Sequence, residues 1–279
     1  MPAATATRES LAPVAARIRS HVVDMCAGPE GGHLGGALSA TEVLTALYFS
    51  VLNVDPSRPD DPQRDRFLLS KGHAAVGLYA TLAERGYFPV EELADYGRPG
   101  TRLMGHPVRV VPGVEMPTGS LGHGLALACG FALAARYDRR TSRSFVLLGD
   151  GELQEGSVWE AAIAAVTLRL DRLVAVVDRN GLQLTGATQR IAAMEPLADR
   201  WRGFGWSVRE ADGHDADALA AHLAAAPWEP GRPSVLIART VKGHGLPFLA
   251  GRAASHYMTL SERNHARATA ALHATDAVR

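Results

Sequence analysis

The chain has 279 residues, of which 47% are hydrophobic and 21% are charged, so it is long enough to bury a substantial core. Its 29 basic and 29 acidic residues balance, which excludes the broad basic field that draws proteins to nucleic acid or to acidic membranes. No apolar run reaches membrane-spanning length and the start (MPAATATRES) lacks an apolar signal-peptide core, so we expect a cytoplasmic protein. Cys26 and Cys129 lie in apolar runs and are predicted to be buried thiols.

The first half of the chain is predicted to alternate between helices and glycine-rich loops. Residues 1–9 are expected to be flexible, and Ser10 is a candidate cap for a helix that runs towards Met25. A glycine-rich loop follows at 28–36 (GPEGGHLGG), and a short buried strand is predicted at 67–70 (FLLS). The glycine-rich loop carries His33 directly after two glycines.

From residue 144 onward, apolar strands alternate with helices. Strands are predicted in SFVLLGD, RLVAVVD, WSVREA and PSVLIART, and helical segments separate them. Continuous apolar strands joined by helices predict an α/β fold, with one parallel sheet covered by helices on both faces in a single domain. We place this domain at 10–265 and expect a terminal helix or a loose tail at 266–279.

Polar residues stand where three of these strands end. They are Asp150 in LLGDGELQ, residues 178–180 in VVDRN, and residues 242–244 in VKGHG. Ligands of open parallel sheets bind beyond the carboxyl ends of the strands. The glycines around Asp150 favour close approach of a phosphate, but a carboxylate repels phosphate unless a cation lies between them. Asp150 together with the amide oxygen of Asn180 therefore predicts a Mg²⁺-diphosphate site.

These motifs resemble those of the transketolase family. GDGELQEGSVWEA followed by LVAVVDRNGLQLTGAT is similar to its thiamin-diphosphate signature, which begins with GDG and ends in Asn after the next strand. Further counterparts occur in the same order: GGHLGGALSATEVLTALYF, DRFLLSKGHAAVGLYA, GHP, PGVEMPTGSLGHGLALACGFALA and SHYMTLSE. The resemblance covers residues 10–265 and implies a thiamin-diphosphate-binding fold.

The resemblance also implies roles for individual residues. Mg²⁺, or another divalent cation such as Ca²⁺ or Mn²⁺, would be held by Asp150, Asn180 and the carbonyl of Leu182. The residues that would contact the cofactor are His73, Gly119, Ser120, Leu121, Gly151, Glu155, Asn180 and His256. The catalytic histidines around the reactive carbon would be His33, His73, His106 and His256. Histidine suits proton exchange with substrate hydroxyl and carbonyl groups because its pKa lies near neutrality.

A full-length transketolase continues with a pyrimidine-binding domain and a C-terminal domain, and this chain ends before both. It resembles the N-terminal subunit of a split transketolase, which we expect to be inactive alone. A separate C-terminal subunit would carry the pyrimidine-binding domain and a glutamate that activates the cofactor, in an α2β2 assembly. Glu155 would face that partner and bond its glutamate. The expected reaction moves a two-carbon ketol unit from a ketose to an aldose.

Two other functions stay open at this point: the α-subunit of a 2-oxo acid dehydrogenase, and a non-catalytic binding subunit that retains the fold. The histidine-rich loops GHLGG and SKGHAA argue against the first, and the Asp150/Asn180 pair argues against the second. His123 and Arg179 depart from the family's usual residues, and the guanidinium of Arg179 could pair with phosphate or with the partner. Neither departure affects a predicted metal ligand, but both leave the substrate open.

The remaining polar residues receive simpler expectations. His244 is expected in a loop, and Glu152 is expected only to favour a helix N-terminus electrostatically. Surface positions are expected for His214, His222, His265 and His273.

Overall fold

The computed structural model describes residues 10–276, so the predicted flexible segment 1–9 and the end of the predicted tail, 277–279, lie outside the described residues. Within this range the α-helices are α1 (Ala12–Ala27), α2 (Leu34–Ser39), α3 (Thr41–Ala46), α4 (Ala75–Arg85), α5 (Gly124–Tyr137), α6 (Gly156–Thr167), α7 (Thr188–Ile191), α8 (Leu197–Gly203), α9 (Ala216–Ala224) and α10 (Glu262–Asp276). The strands are β1 (Arg66–Leu69), β2 (Ser144–Gly149), β3 (Leu173–Arg179), β4 (Leu182–Gln183), β5 (Gly186–Ala187), β6 (Ser207–Asp212) and β7 (Ser234–Arg239). Short 3₁₀ turns at Gly72–Ala74, Gly151–Gln154 and Ala253–Ser255 adjoin the functional region.

Five of these strands form one parallel sheet in the order β1-β2-β3-β7-β6. Strands β4 and β5 form a separate antiparallel ribbon. Every residue of β2 is buried, as expected for a central strand that is covered on both faces. The predicted parallel sheet is therefore confirmed.

Helices cover both faces of this sheet, and the pleat of the strands divides the core into two layers. In β2, Phe145 and Leu147 pack into the layer formed with α1–α4, α9 and α10. Val146 and Leu148 point to the opposite face and pack against α5, α6 and α8. The predicted α/β architecture with helices on both faces is confirmed.

Parallel register brings the carboxyl ends of the central strands together. Gly149, the last residue of β2, lies opposite Asp178 in β3, and the Asp150 amide donates to the Asp178 carbonyl at 3.2 Å. The 3₁₀ turn Gly151–Gln154 then leads into α6. As a result, the polar residues that follow β1, β2, β3 and β7 share one edge of the sheet.

The terminal helix α10 begins at Glu262, four residues ahead of the predicted segment, and His265 on this helix lies 2.7 Å from Asp24 of α1. Among residues 10–276, no helix is both long enough and apolar enough to cross a lipid bilayer.

Candidate active site

A cavity of about 320 Å³ opens at the carboxyl ends of the central strands. Most of the site residues predicted from the sequence line its wall: His73, Gly119, Leu121, Asp150, Gly151, Glu155, Asn180, Leu182 and His256. Ser120 is exposed and does not line the cavity, and His33 and His106 also lie outside its wall. The fold thus gathers residues from five loops around one space.

The three predicted metal ligands lie on two adjacent turns. The Asp150 carboxylate is buried and accepts hydrogen bonds from the amides of Gly151 at 2.9 Å and Gly181 at 2.6 Å. The Asn180 side-chain oxygen accepts from the Leu182 amide at 3.1 Å. Because the Gly181 amide follows Asn180 directly, its bond to Asp150 ties the end of β2 to the turn that carries the other two ligands.

The electrostatics of Asp150 favour a nearby cation. Burial and the neighbouring charge of Asp178 together raise the pKa of Asp150 to about 6, against the opposing effect of the two backbone hydrogen bonds. The groups around Asp150 therefore do not fully compensate the negative charge of its carboxylate. A carboxylate, a side-chain amide oxygen and a backbone carbonyl form the oxygen donor set that hard divalent cations prefer, so these residues fit such an ion.

Two buried lysines contribute positive charge that the sequence motifs left without a role. The Lys71 ammonium pairs with Asp178 and donates to the Gly36 carbonyl at 2.9 Å. The Lys242 ammonium donates to His256 Nδ1 at 2.9 Å and to the Leu182 carbonyl at 3.4 Å. Burial and the charge of Lys71 together lower the pKa of Lys242 to about 8. Both lysines follow strands, so the strand-end rule applied to β1 and β7 points to them.

Glu152 is 2% exposed, and the expectation that it acts only at a helix N-terminus is wrong. Its carboxylate accepts from the Ser70 hydroxyl and from the amides of Gly122 at 2.9 Å and Gly149 at 3.1 Å. These donors belong to the end of β1, to the loop before α5 and to the end of β2. Glu152 therefore joins three segments that form the cavity.

The four predicted catalytic histidines come together although they are far apart in sequence. The ring centroid of His33 lies 5.3 Å from that of His73, 5.8 Å from His106 and 5.2 Å from His256. The centroids of His73 and His256 lie 5.3 Å apart. Tyr257, which the sequence did not single out, packs edge-on against His33 at 4.8 Å and donates to the Glu30 carbonyl at 2.6 Å.

His33, His73 and His256 of this cluster are neutral near pH 7. Burial, together with the neighbouring His256, His106, Lys242 and Lys71, lowers the pKa of His33 to about 4. Burial and the nearby lysines also lower the pKa of His256 to about 4 and that of His73 well below its usual value. An ammonium has no acceptor, so His256 Nδ1 accepts from Lys242 and its hydrogen is assigned to Nε2. His33 Nδ1 is buried and has no hydrogen-bond partner within the described part of the chain.

The loop that carries Gly119 and Leu121 approaches this cluster closely. Gly119 has a φ of 153°, and a Cβ atom there would lie 3.1 Å from the His106 ring, so a side chain would be strained and crowded. His123 is exposed, and its Nδ1 lies 3.1 Å from the Leu121 carbonyl. Arg179, the second departure from the family's usual residues, donates to the Glu195 carboxylate at 2.8 Å. Its positive charge is therefore paired with an acidic side chain of the same chain.

Asp150 and Asn180 follow adjacent parallel strands and line one cavity with His73 and His256, which is the arrangement implied by the resemblance to thiamine diphosphate-binding proteins. The family described as "Transketolase, thiamine diphosphate binding domain" matches residues 11–276. The chain belongs to this family, as its motifs predicted.

Similar proteins support the same assignment. The chain is 47% identical over 242 residues to the 6-deoxy-6-sulfo-D-fructose transketolase subunit SqwG of Clostridium sp. (strain MSTE9), covering 86% of this chain and 88% of that protein. It is 41% identical over 239 residues to one subunit of the apulose-4-phosphate transketolase of Phocaeicola vulgatus, with coverage of 86% and 85%. These matches confirm the prediction of a transketolase subunit in preference to a 2-oxo acid dehydrogenase subunit.

Solved structures show the same fold in longer chains. The transketolase of Leishmania mexicana superimposes with a TM-score of 0.88 and 31% identity, over 95% of this chain. A transketolase from Pichia stipitis in complex with sedoheptulose 7-phosphate gives a TM-score of 0.89 and 31% identity, over 94% of this chain. The chain spans 41% and 40% of the length of these two structures.

Proposed function

We propose that this chain is the diphosphate-binding subunit of a two-component transketolase, which uses thiamin diphosphate and Mg²⁺ to transfer a two-carbon ketol unit from a ketose to an aldose. The observation that carries this proposal is the placement of Asp150 and Asn180 on adjacent strand ends, in one cavity with His73 and His256. Family membership alone would also fit a binding subunit without activity. A catalytic subunit is favoured because the same cavity holds side chains that can ligate a metal ion and histidines that can exchange protons.

The metal and the diphosphate would be held by the turns after β2 and β3. Asp150, Asn180 and the Leu182 carbonyl would bind Mg²⁺, and the backbone of Gly151 would approach the diphosphate. The Lys242 ammonium lies in the same cavity wall and would add positive charge. When bound, thiamin diphosphate supplies the carbanion chemistry that cleaves and forms carbon–carbon bonds.

The remaining cofactor contacts would come from other residues that line the cavity. Residues 119–121 would line the cofactor, with Leu121 beside the aminopyrimidine. His73 and His256, which line the cavity, would touch the cofactor.

The histidine cluster would handle protons of the substrate. His33, His73, His106 and His256 lie close together, and the lowered pKa values of His33, His73 and His256 keep these three neutral near pH 7. A neutral imidazole both donates and accepts a hydrogen bond, so it can pass protons among the substrate hydroxyls and a carbonyl. His33 and His256 would contact substrate.

A separate C-terminal subunit with a pyrimidine-binding domain would complete the site, in an α2β2 assembly. Two observations support a partner: the chain's relatives are named as subunits, and Glu155 is exposed at the cavity. Glu155 would bond the glutamate of that partner.

The test compares Asp150→Asn with the wild-type chain, each reconstituted with its partner subunit. Calorimetry measures thiamin diphosphate binding with and without Mg²⁺. We expect the Mg²⁺-dependent affinity to fall by more than about 100-fold, because loss of even outer-shell partners weakens metal binding by about 10–100-fold. Asp171→Asn is the matched control, since Asp171 lies beside the amino end of β3 and binds the Gly231 amide.

Equal Mg²⁺-dependent affinity of Asp150→Asn and the wild type would remove the proposed metal site. A wild-type complex that binds the cofactor but transfers no ketol unit from any ketose would support the non-catalytic alternative.

A further inference from the structure

Four side chains outside the cavity wall form a group that we call the Glu42 cluster: Arg19, Glu42, His214 and His244. Arg19 pairs with Glu42, and His214 Nδ1 lies 3.3 Å from Glu42 Oε2. The rings of His214 and His244 stack with their centroids 3.5 Å apart. The expectation that His214 is a surface residue is wrong, because its side chain is only 13% exposed and Glu42 is 3% exposed.

The Glu42 cluster resembles a metal site in composition but not in geometry. The ligand atoms of Glu42, His214 and His244 lie within 4.8 Å of one another. However, the two imidazole planes are nearly parallel, at 12°. The lone pair of an imidazole nitrogen lies in the ring plane, so two stacked rings cannot both direct lone pairs at one ion. The guanidinium of Arg19 already neutralises Glu42, which further disfavours a cation there.

The hydrogen bonds of His214 define its tautomer. The Val241 amide donates to His214 Nε2 at 2.8 Å, so this nitrogen carries no hydrogen. The hydrogen of the neutral ring is therefore on Nδ1, where it is donated to Glu42. Burial acts to raise the pKa of Glu42, but the bond from His214 and the charge of Arg19 outweigh burial and lower it. The result is a chain of contacts from an ionised Glu42 through His214 to the backbone at Val241.

Val241 directly precedes Lys242, and the backbone around Lys242 is held at several points. The Gly251 amide donates to the Lys242 carbonyl at 2.8 Å, and the Gly243 amide donates to Gly35 at 2.9 Å. The bond from the Val241 amide to His214 Nε2 restrains the backbone on the amino-terminal side of Lys242. The Lys242 ammonium then reaches the Leu182 carbonyl and His256.

We propose that His214 is a positioning residue that acts through Lys242: it holds the backbone of Val241 so that the Lys242 ammonium stays in the cavity beside Leu182 and His256. The inference rests on the proposed function, because Lys242 is taken to face the bound cofactor. Neither Glu42 nor His214 lines the cavity, so any effect on cofactor binding must pass through residues that do.

The test uses a matched pair of substitutions, His214→Gln and His214→Asn. A Gln amide reaches as far as the Nε2 position and can still accept from the Val241 amide. An Asn amide ends near the Nδ1 position, so it can bond Glu42 but leaves the Val241 amide unpaired. Each variant is reconstituted with the partner subunit, and calorimetry with thiamin diphosphate and Mg²⁺ measures affinity. We expect affinity to fall about 10-fold for Asn and to stay near the wild-type value for Gln.

A double-mutant cycle separates positioning from general damage to the fold. In a Lys242→Met background, His214→Asn should change cofactor affinity less than about twofold, because the group through which it acts is gone. Equal affinities of the Asn and Gln variants in the wild-type background would overturn the inference. The inference would also be overturned if the fold-losses of cofactor affinity in the two single variants multiplied in the double variant, because the two substitutions would then act independently.

Hydrogen exchange at the Val241 amide provides a readout without cofactor or turnover. Exchange should accelerate in His214→Asn and stay slow in His214→Gln, and equal exchange in the two variants would contradict the proposed contact. The proposed function fails separately, if the wild-type complex itself does not bind thiamin diphosphate with Mg²⁺.

Discussion

Lys71 and Asp178 form an ion pair whose side chains are 1% and 0% exposed. Burial of two charges is costly unless further hydrogen bonds satisfy them. Asp178 accepts such bonds from Ser39 at 2.6 Å, from Asn180 at 3.3 Å and from the hydroxyl of Thr240. The pair therefore connects α2 and the ends of β1, β3 and β7, and it contacts the predicted metal ligand Asn180.

Substitution of Asp178 by Asn should strongly destabilise the fold, because it leaves the Lys71 ammonium buried without its counter-charge. We expect the free energy of unfolding to fall by about 3–5 kcal/mol. The control is Asp138→Asn, since the Asp138 side chain is 51% exposed and its pair with Arg140 is worth less than about 1 kcal/mol. Urea unfolding of both variants measures the difference, and equal losses would contradict a special role for the buried pair.

Glu152→Gln should also lower the free energy of unfolding, and the effect should be measurable in the chain with no ligand bound. The carboxylate accepts three hydrogen bonds, and an amide group would direct its own hydrogens at one of those donors. We expect a loss of about 1–3 kcal/mol in urea unfolding. Glu160→Gln on the exposed side of α6 serves as the control and should change stability by less than about 0.5 kcal/mol. A stability of Glu152→Gln equal to that of its control would show that these bonds contribute nothing.

His33→Ala should separate turnover from cofactor binding. His33 contacts the rings of His73, His106 and His256 but does not line the cavity. We therefore expect cofactor affinity to stay within about twofold while ketol transfer by the complex slows at least about 100-fold, as on loss of a proton-transfer group. His273→Ala, at an exposed position of α10, controls for loss of an imidazole. Unchanged transfer by His33→Ala would remove its catalytic role.

The lowered pKa values of the histidines predict that acid destabilises the fold. His33 and His256 have pKa values of about 4 in the folded chain, whereas an unfolded histidine has a pKa of about 6.5. Between these values the unfolded chain binds more protons, so stability falls as pH falls from about 6.5 to 4. Asp150 acts in the opposite direction, because its raised pKa lets the folded chain gain a proton below about pH 6.

The contribution of one histidine can be isolated by comparing melting temperatures at about pH 7 and about pH 5. The decrease should be smaller in His33→Gln than in the wild type, since the variant lacks one of the groups that takes up a proton on unfolding. His273→Gln should show the wild-type decrease. A decrease in His33→Gln as large as that of the wild type would argue against a lowered pKa.

Sequence patterns alone were enough to predict the sheet and one side of the site. Apolar runs are local signals, and each strand is followed by the residues that its carboxyl end presents. Asp150 and Asn180 could therefore be placed together from the strand pattern alone, and the glycine-flanked motifs predicted the histidine cluster through family resemblance. The structure places most of these residues in one cavity.

The buried polar groups that support that site could be recognised only from the packing of the folded chain. Lys71 and Asp178 are 107 residues apart in sequence, Ser70 and Glu152 are 82 apart, and Glu42 and His214 are 172 apart. Each residue taken alone is typical of a loop or a solvated helix, so its local pattern gives no sign of burial. Burial becomes favourable only when a partner from a distant segment supplies the opposite charge or the missing hydrogen bond, and chain packing in three dimensions selects that partner.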